Sequence, residues 1–314
     1  MVKDSLGRMV EKPRYGGVYT TVPSAGLTGF DPVFLSGTAQ QVQIQTHDEL
    51  VQLDWKRGPT GTNEISASFS LAPMTLKTGM LAESWEVPDD STIIYHIRKG
   101  VHFALDPNSE ASRLVGGREL TAADVAYSIN RNFEDLPGSD SRIRNLPVEW
   151  PVSVTAPDKY TVVVKTNPGY AQNALLYTSD VTKIYPPEPV KKYGDLRDWK
   201  NNVGSGPFIM KDYVPGSTVT FVRNSNYWQH DLFFPENQLP YIDGVKYVYV
   251  TDKSTVMAGL RSGKIDGLHP QFLKFIAEDV KTLTQSNPEM KFRRVLSERP
   301  QAVNFVFRDP SQPW

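Results

Sequence analysis

The chain has 314 residues, about two domains' worth at roughly 150 residues each, and enough to bury a core. Its 34 Lys+Arg balance 35 Asp+Glu for a net charge of -1, which argues against the broad cationic footprint of a nucleic-acid binder. The composition is globular, no apolar run approaches the roughly 20 residues of a membrane span, and the lack of cysteine removes disulfides, thiolate metal sites and cysteine nucleophiles.

Met1-Val2-Lys3-Asp4 starts no apolar leader, so the protein is cytosolic or its export signal lies outside this chain. Gly16-Gly17 leads into a β-branched and aromatic strand, Val18 to Val22. Pro23 to Pro32, with Gly26, Gly29 and Asp31, reads as a shaped loop. A helix is expected within Ser36 to Leu53, which lacks breakers after Gly37. Leu81–Val87 and Thr92–Arg98, joined by Pro88-Asp89-Asp90-Ser91, form a hairpin. Ala104 to Arg118 is polar and reads as a surface excursion. Thr121 starts the best helix: Asp124 three residues later resembles a capping box, and Val125, Ile129 and Phe133 share one face.

Tyr160 to Lys165 is a strand. Pro186-Pro187-Glu188-Pro189 is a stiff link before a short helix around Val190 to Tyr193. Gly204 to Phe208 is a turn, and Thr218 to Val222 is a strand after a Pro215-Gly216 turn. Val245 to Thr251, a helix capped by Ser254 and ended by Gly263, and a strand from Ile265 to Leu268 make a β–α–β unit. Leu273, Ile276, Val280 and Leu283 space as a helix. Lys291 to Leu296 and Ala302 to Phe307 read as closing strands. The last run enters a turn and stops at Trp314, which suggests a chain cut short.

Tempting motifs fail. Gly259-Leu260-Arg261-Ser262-Gly263-Lys264-Ile265 has three residues between its glycines, and Ile where a phosphate loop needs Ser or Thr. Gly204-Ser205-Gly206 lacks the third glycine of a dinucleotide fingerprint. His47-Asp48-Glu49-Leu50 imitates a retention tag but is internal. None of the five histidines (His47, His96, His102, His230, His269) pairs at helical zinc spacing; His96 reads as a half-buried structural residue. Tyr227-Trp228, Tyr241, Tyr247 and Tyr249 are strand packing or a stacking surface, with packing favoured for Tyr247 and Tyr249. No nucleophile comes with a base.

Several segments, in order, resemble the signature of the family 5 extracellular solute-binding proteins. They are Leu81 to Glu86, Asp89-Asp90, Arg98 to Phe103, Leu120 to Ser128, Val203 to Phe208, Arg223 to Trp228, Leu239 to Gly244 and Leu260 to Asp266. Ala104 to Arg118 is longer than the family's usual turn there. The resemblance implies the oligopeptide- or dipeptide-binding component of an ABC importer, here its N-terminal portion.

The implied fold is α/β, a type II periplasmic-binding-protein-like, two-lobe architecture with an extra α+β domain inserted in lobe one and the second lobe truncated. Lobe one would be residues 1–50 and 170–268, the inserted domain 51–169, and the start of lobe two 269–314. An export signal or lipoprotein cysteine is expected upstream, and about two hundred residues downstream.

The implied function is capture of a peptide or similar small solute between lobes by hinge closure, and delivery to permease subunits. It implies a periplasmic or extracellular monomer, with a lipid anchor as an option for this protein, and no catalytic residue, cofactor, metal or nucleic-acid partner. The candidate ligand residues are Ser24, Gly26, Leu27, Thr28, Gly29 and Phe30 after the first strand, and His269, Gln271 and Phe272 at the lobe crossing. For Gly26 and Gly29, close backbone approach to a ligand and simple turn geometry stand as equal alternatives; for His269 an ordinary loop residue is the alternative. A secreted hydrolase of peptides or oligosaccharides is the rival class, and an adhesion or scaffold module the third.

Overall fold

The computed structural model describes residues 1–23, 26–27, 29–34, 39–58, 61–65, 73–133, 139–268 and 276–290. A short ribbon, β1 (Val2–Lys3) with β2 (Met9–Val10), precedes β3 (Val18–Val22). Then come α1 (Ala39–Thr46), β4 (Val51–Leu53), β5 (Lys77–Gly79), β6 (Ala82–Asp89), β7 (Thr92–Ile97), α2 (Glu110–Val115), α3 (Ala122–Phe133), α4 (Asp140–Arg144), β8 (Ser153–Thr155), β9 (Thr161–Lys165), α5 (Ala171–Leu176) and α6 (Pro187–Tyr193). The last part holds β10 (Phe208–Val214), β11 (Thr218–Arg223), β12 (Gly244–Val248), α7 (Lys253–Arg261), β13 (Gly267–Leu268) and α8 (Ala277–Ser286).

Two sheets organise these elements. One is antiparallel, in the order β6-β7-β9-β8. Its turn is held by Asp89, which accepts from Ser91 N and Thr92 Oγ1, both at 2.9 Å. Ile93, Tyr95 and Ile97 alternate inward on β7, as Val162 and Val164 do on β9, the two-residue period of a sheet with one packed face. Helix α3 covers that face with Val125 and Ile129, both fully buried. Asp124 accepts from Thr121 N at 2.9 Å, so the expected cap forms.

The other sheet is mixed, in the order β10-β11-β12-β3-β13. Strands β10, β11 and β12 are antiparallel to one another, whereas β12 and β13 both run parallel to β3. The β12–α7–β13 crossover therefore passes over β3. Helix α7 turns Val256 and Met257 inward.

Some expectations need correction. The helix expected within 36–53 is only α1, because the chain turns at His47 and Val51 to Leu53 pairs with β5. The excursion at 104–118 contains α2, whose Ala111 and Val115 are buried; its polar residues hid a two-residue apolar face. Asp252 rather than Ser254 caps α7, accepting from Thr255 N at 2.7 Å. The expected stiff link is the start of α6, since proline suits a first helical turn. The expected strand at 265–268 is paired only at Gly267 and Leu268. Helix α8 begins after Ile276. Leu273 and the strands expected at Lys291–Leu296 and Ala302–Phe307 lie outside the described residues.

Candidate functional site

Parallel neighbours bring chain exits together. In the register of the mixed sheet, Thr21 lies beside Tyr247 on one side and Gly267 on the other, and Val22 pairs with Leu268. The carboxyl ends of β12, β3 and β13 thus open side by side. Crevices outside such ends are where open α/β sheets hold ligands. The loop that follows β3 leaves from the middle of this row, and the chain leaves β13 for residue 269 beside it.

Within that loop, a Cβ on Gly26 or Gly29 would meet no atom of the described residues within 4 Å, and neither has a left-handed backbone. Leu27 packs on the core of the mixed sheet beside Phe30. Phe30 is 7% exposed, stands edge-on to Tyr213 at 4.9 Å, and its carbonyl accepts from Gln43 Nε2 at 3.3 Å. Ser24, Thr28, His269, Gln271 and Phe272 lie outside the described residues.

The loop is pinned at its far end by Asp31. Its carboxylate takes a two-pronged contact from Arg131 of α3 at 2.8 and 2.7 Å, and further bonds from Val33 N and Leu196 N. Burial pushes this carboxyl up, but the hydrogen bond and charge of Arg131 outweigh it and hold the group below its ordinary value.

At the end of β12, Tyr247 is core: it meets Phe221 at 5.3 Å and its hydroxyl donates to Gln41 O at 2.9 Å. Tyr249, one step past the strand, differs. Its hydroxyl is buried with no partner among the described residues, and burial raises its pKa. Its ring packs on the core of the mixed sheet, as the packing reading expects, and the sealed hydroxyl is an unpaired group within that packing.

The motif residues assemble elsewhere, around Asp48. This fully buried carboxylate accepts from Trp228 Nε1 at 2.9 Å and Ser205 Oγ at 3.0 Å, and the Tyr227 hydroxyl lies 3.3 Å away. A Cβ on Gly204 would lie 2.0 Å from Thr46 O, and one on Gly206 2.5 Å from Thr46 C; the glycines exist to let this segment press on the end of α1. Asn224 Nδ2 donates to Gly206 O at 2.9 Å, and Arg98 stacks over Trp228 at 4.9 Å. Burial lifts Asp48 to about 6 against its three donors.

Next to it, burial lifts Glu49 to about 7, with Lys183 as its ion-pair partner. His47 is pushed down to about 3, first by burial and then by the charge of Lys183. The Asp48 and Glu49 carboxylates are bonded inside the fold, while the buried Nε2 of His47 has no partner among the described residues. His96 joins Glu86 across the hairpin at 2.8 Å. The apparent phosphate loop is the end of α7 and the turn after it: a Cβ on Gly259 would strike the Ile265 side chain at 2.5 Å.

The family model for bacterial extracellular solute-binding proteins, family 5 Middle, matches residues 78–311. Heme-binding protein A of Haemophilus influenzae is 28% identical over 253 residues, covering 76% of this chain and 41% of the relative. The oligopeptide-binding protein AppA of Bacillus subtilis, solved with a nonapeptide, superposes with a TM-score of 0.64 at 23% identity, over 88% of this chain and 47% of AppA. The ABC transporter-associated periplasmic binding protein DppA of Helicobacter pylori, solved with the peptide STSA, gives 0.63 at 21% identity, over 87% and 49%.

This chain therefore spans less than half the length of these relatives. Its fold is the mixed α/β fold of the type II periplasmic binding proteins. On the match across residues 78–311, the chain belongs to the family 5 bacterial extracellular solute-binding proteins.

Proposed function

We propose that the chain is the lobe-one part of a protein that captures a peptide or similar small solute and delivers it to the permease of an ABC importer. The observation that carries this reading is the convergence of the carboxyl ends of β12, β3 and β13, the kind of sheet edge at which open α/β folds hold ligands. Residues 1–50 and 170–268 form lobe one, 51–169 the inserted domain, and 269–314 begin lobe two. On this reading, solute contact falls to the loop after β3 (Ser24, Gly26, Leu27, Thr28, Gly29, Phe30) and to the crossing (His269, Gln271, Phe272); of these, Leu27 and Phe30 also pack on the sheet core, and Ser24, Thr28, His269, Gln271 and Phe272 lie outside the described residues. A solute touching both lobes stabilises the closed form by the difference in its contacts with the open and closed states. The peptides bound to AppA and DppA support a peptide as the solute class, and the family's extracellular description supports a periplasmic or extracellular location; a monomer belongs to the same proposal.

Mass spectrometry of solutes that co-purify with the protein, followed by calorimetric titration with di-, tri- and nonapeptides, tests the reading. The expected result is an intact peptide, bound saturably and released unchanged. Cleavage of the peptide, or no saturable binding of any peptide, overturns it.

A further inference from the structure

A cavity of about 600 Å³ lies away from the strand ends, sharing only Phe30 with the candidate ligand residues. Its walls come from α1, from the 104–112 segment with α2, from residues 198–204 and from the start of β10. The volume is that of a small-molecule site. Trp199, Phe208, Tyr193 and Met210 supply an aromatic and apolar lining.

Two opposite charges face each other in that lining. Lys211 Nζ stands 3.7 Å from Asp106 Oδ2, beyond hydrogen-bond length. Asp106 Oδ1 takes the Asn108 N–H at 2.9 Å, while among the described residues Oδ2 has this loose contact with Lys211. Asp106 is mostly buried, at 14% exposure, and Lys211 is at 45%. An ammonium and a carboxylate held apart by this distance suit a ligand carrying both charges, each bonded to its opposite at normal length.

We propose that this cavity between α1, β10 and the α2 segment is a second ligand site, for a small zwitterion with an aromatic body, in chemical class an aromatic amino acid. Its carboxylate pairs with Lys211, its ammonium with Asp106, and its ring lies against Trp199 and Phe208.

The test is titration of the purified protein with L-phenylalanine, read by calorimetry and by tryptophan fluorescence, beside phenethylamine and 3-phenylpropionate, which each keep one charge. Saturable binding of L-phenylalanine is expected, weakened about tenfold or more in Lys211→Ala and in Asp106→Asn. Lys211→Ala should leave phenethylamine binding unchanged, and Asp106→Asn should leave 3-phenylpropionate binding unchanged. Peptide binding at the strand ends should be equal in all variants. No saturable binding at millimolar L-phenylalanine, or binding that neither substitution alters, overturns the proposal. Circular dichroism checks that the variants are folded, and the exposure of Lys211 makes its variant the secure one.

Discussion

Replacing Arg131 with methionine removes the cation from a carboxylate that the fold has sealed away. The Asp31 side chain is 0% exposed and that of Arg131 is 4%, so water cannot take over the lost contact. Breaking a buried ion pair on one side destabilises by about 3–5 kcal/mol, a large share of the roughly 5–15 kcal/mol of a typical domain. The effect should depend on pH, with a sign set by Asp31. In the native protein its pKa is lowered from 3.8, so its stabilisation is present above that value and is lost as the pH falls. Without Arg131, burial is left largely unopposed and the pKa rises. The deficit of Arg131→Met should therefore shrink as the solution is acidified towards pH 5 and grow towards neutrality.

Urea unfolding followed by tryptophan fluorescence at both pH values measures this. The double variant Asp31→Asn/Arg131→Met, neutral but still able to accept from Leu196 N, should recover part of the loss. A cost for Arg131→Met below about 1 kcal/mol, as at an exposed pair, with no dependence on pH, would refute the reasoning.

Asp48→Asn should flatten the pH profile of stability between pH 4 and 6. The native pKa is raised from 3.8 to about 6, so the stabilisation linked to this group is full below the lower value and drains away as pH rises through the upper one; equilibrium unfolding across that range checks it. Gly206→Ala should destabilise by about 3 kcal/mol or more, or rearrange the end of α1, because the new methyl would lie 2.7 Å from His47 N; thermal melts report it. Trp228→Phe leaves Asp48 without its 2.9 Å indole donor and should destabilise by about 1.5–3 kcal/mol, read by chemical denaturation.

What the sequence made legible was mostly local. The hairpin β6–β7, the cap and apolar stripe of α3, and the β-branched run of β9 are all written within a few residues, so a local reading exposes them. Asp48 was passed over as part of a chance tetrapeptide because its partners Ser205 and Trp228 are 157 and 180 residues away. The same distance hid the purpose of Gly204 and Gly206, whose neighbours belong to α1. The motifs that carried the family resemblance proved to be joints of the scaffold, while the candidate loop had only its glycines to mark it. Helix α2 was missed because six residues with two buried apolar positions give too short a pattern to read.

The two chain exits at the crevice are mounted differently. Strand β3 is clasped on both flanks, by four register pairs with β12 and two with β13, so its exit is an anvil that cannot shift without tearing the sheet. Strand β13 grips β3 through just two residues and, among the described residues, has no other neighbour. On the proposed reading, a closing lobe would pivot where the chain leaves Leu268, while Val22, gripped through β3, stays fixed.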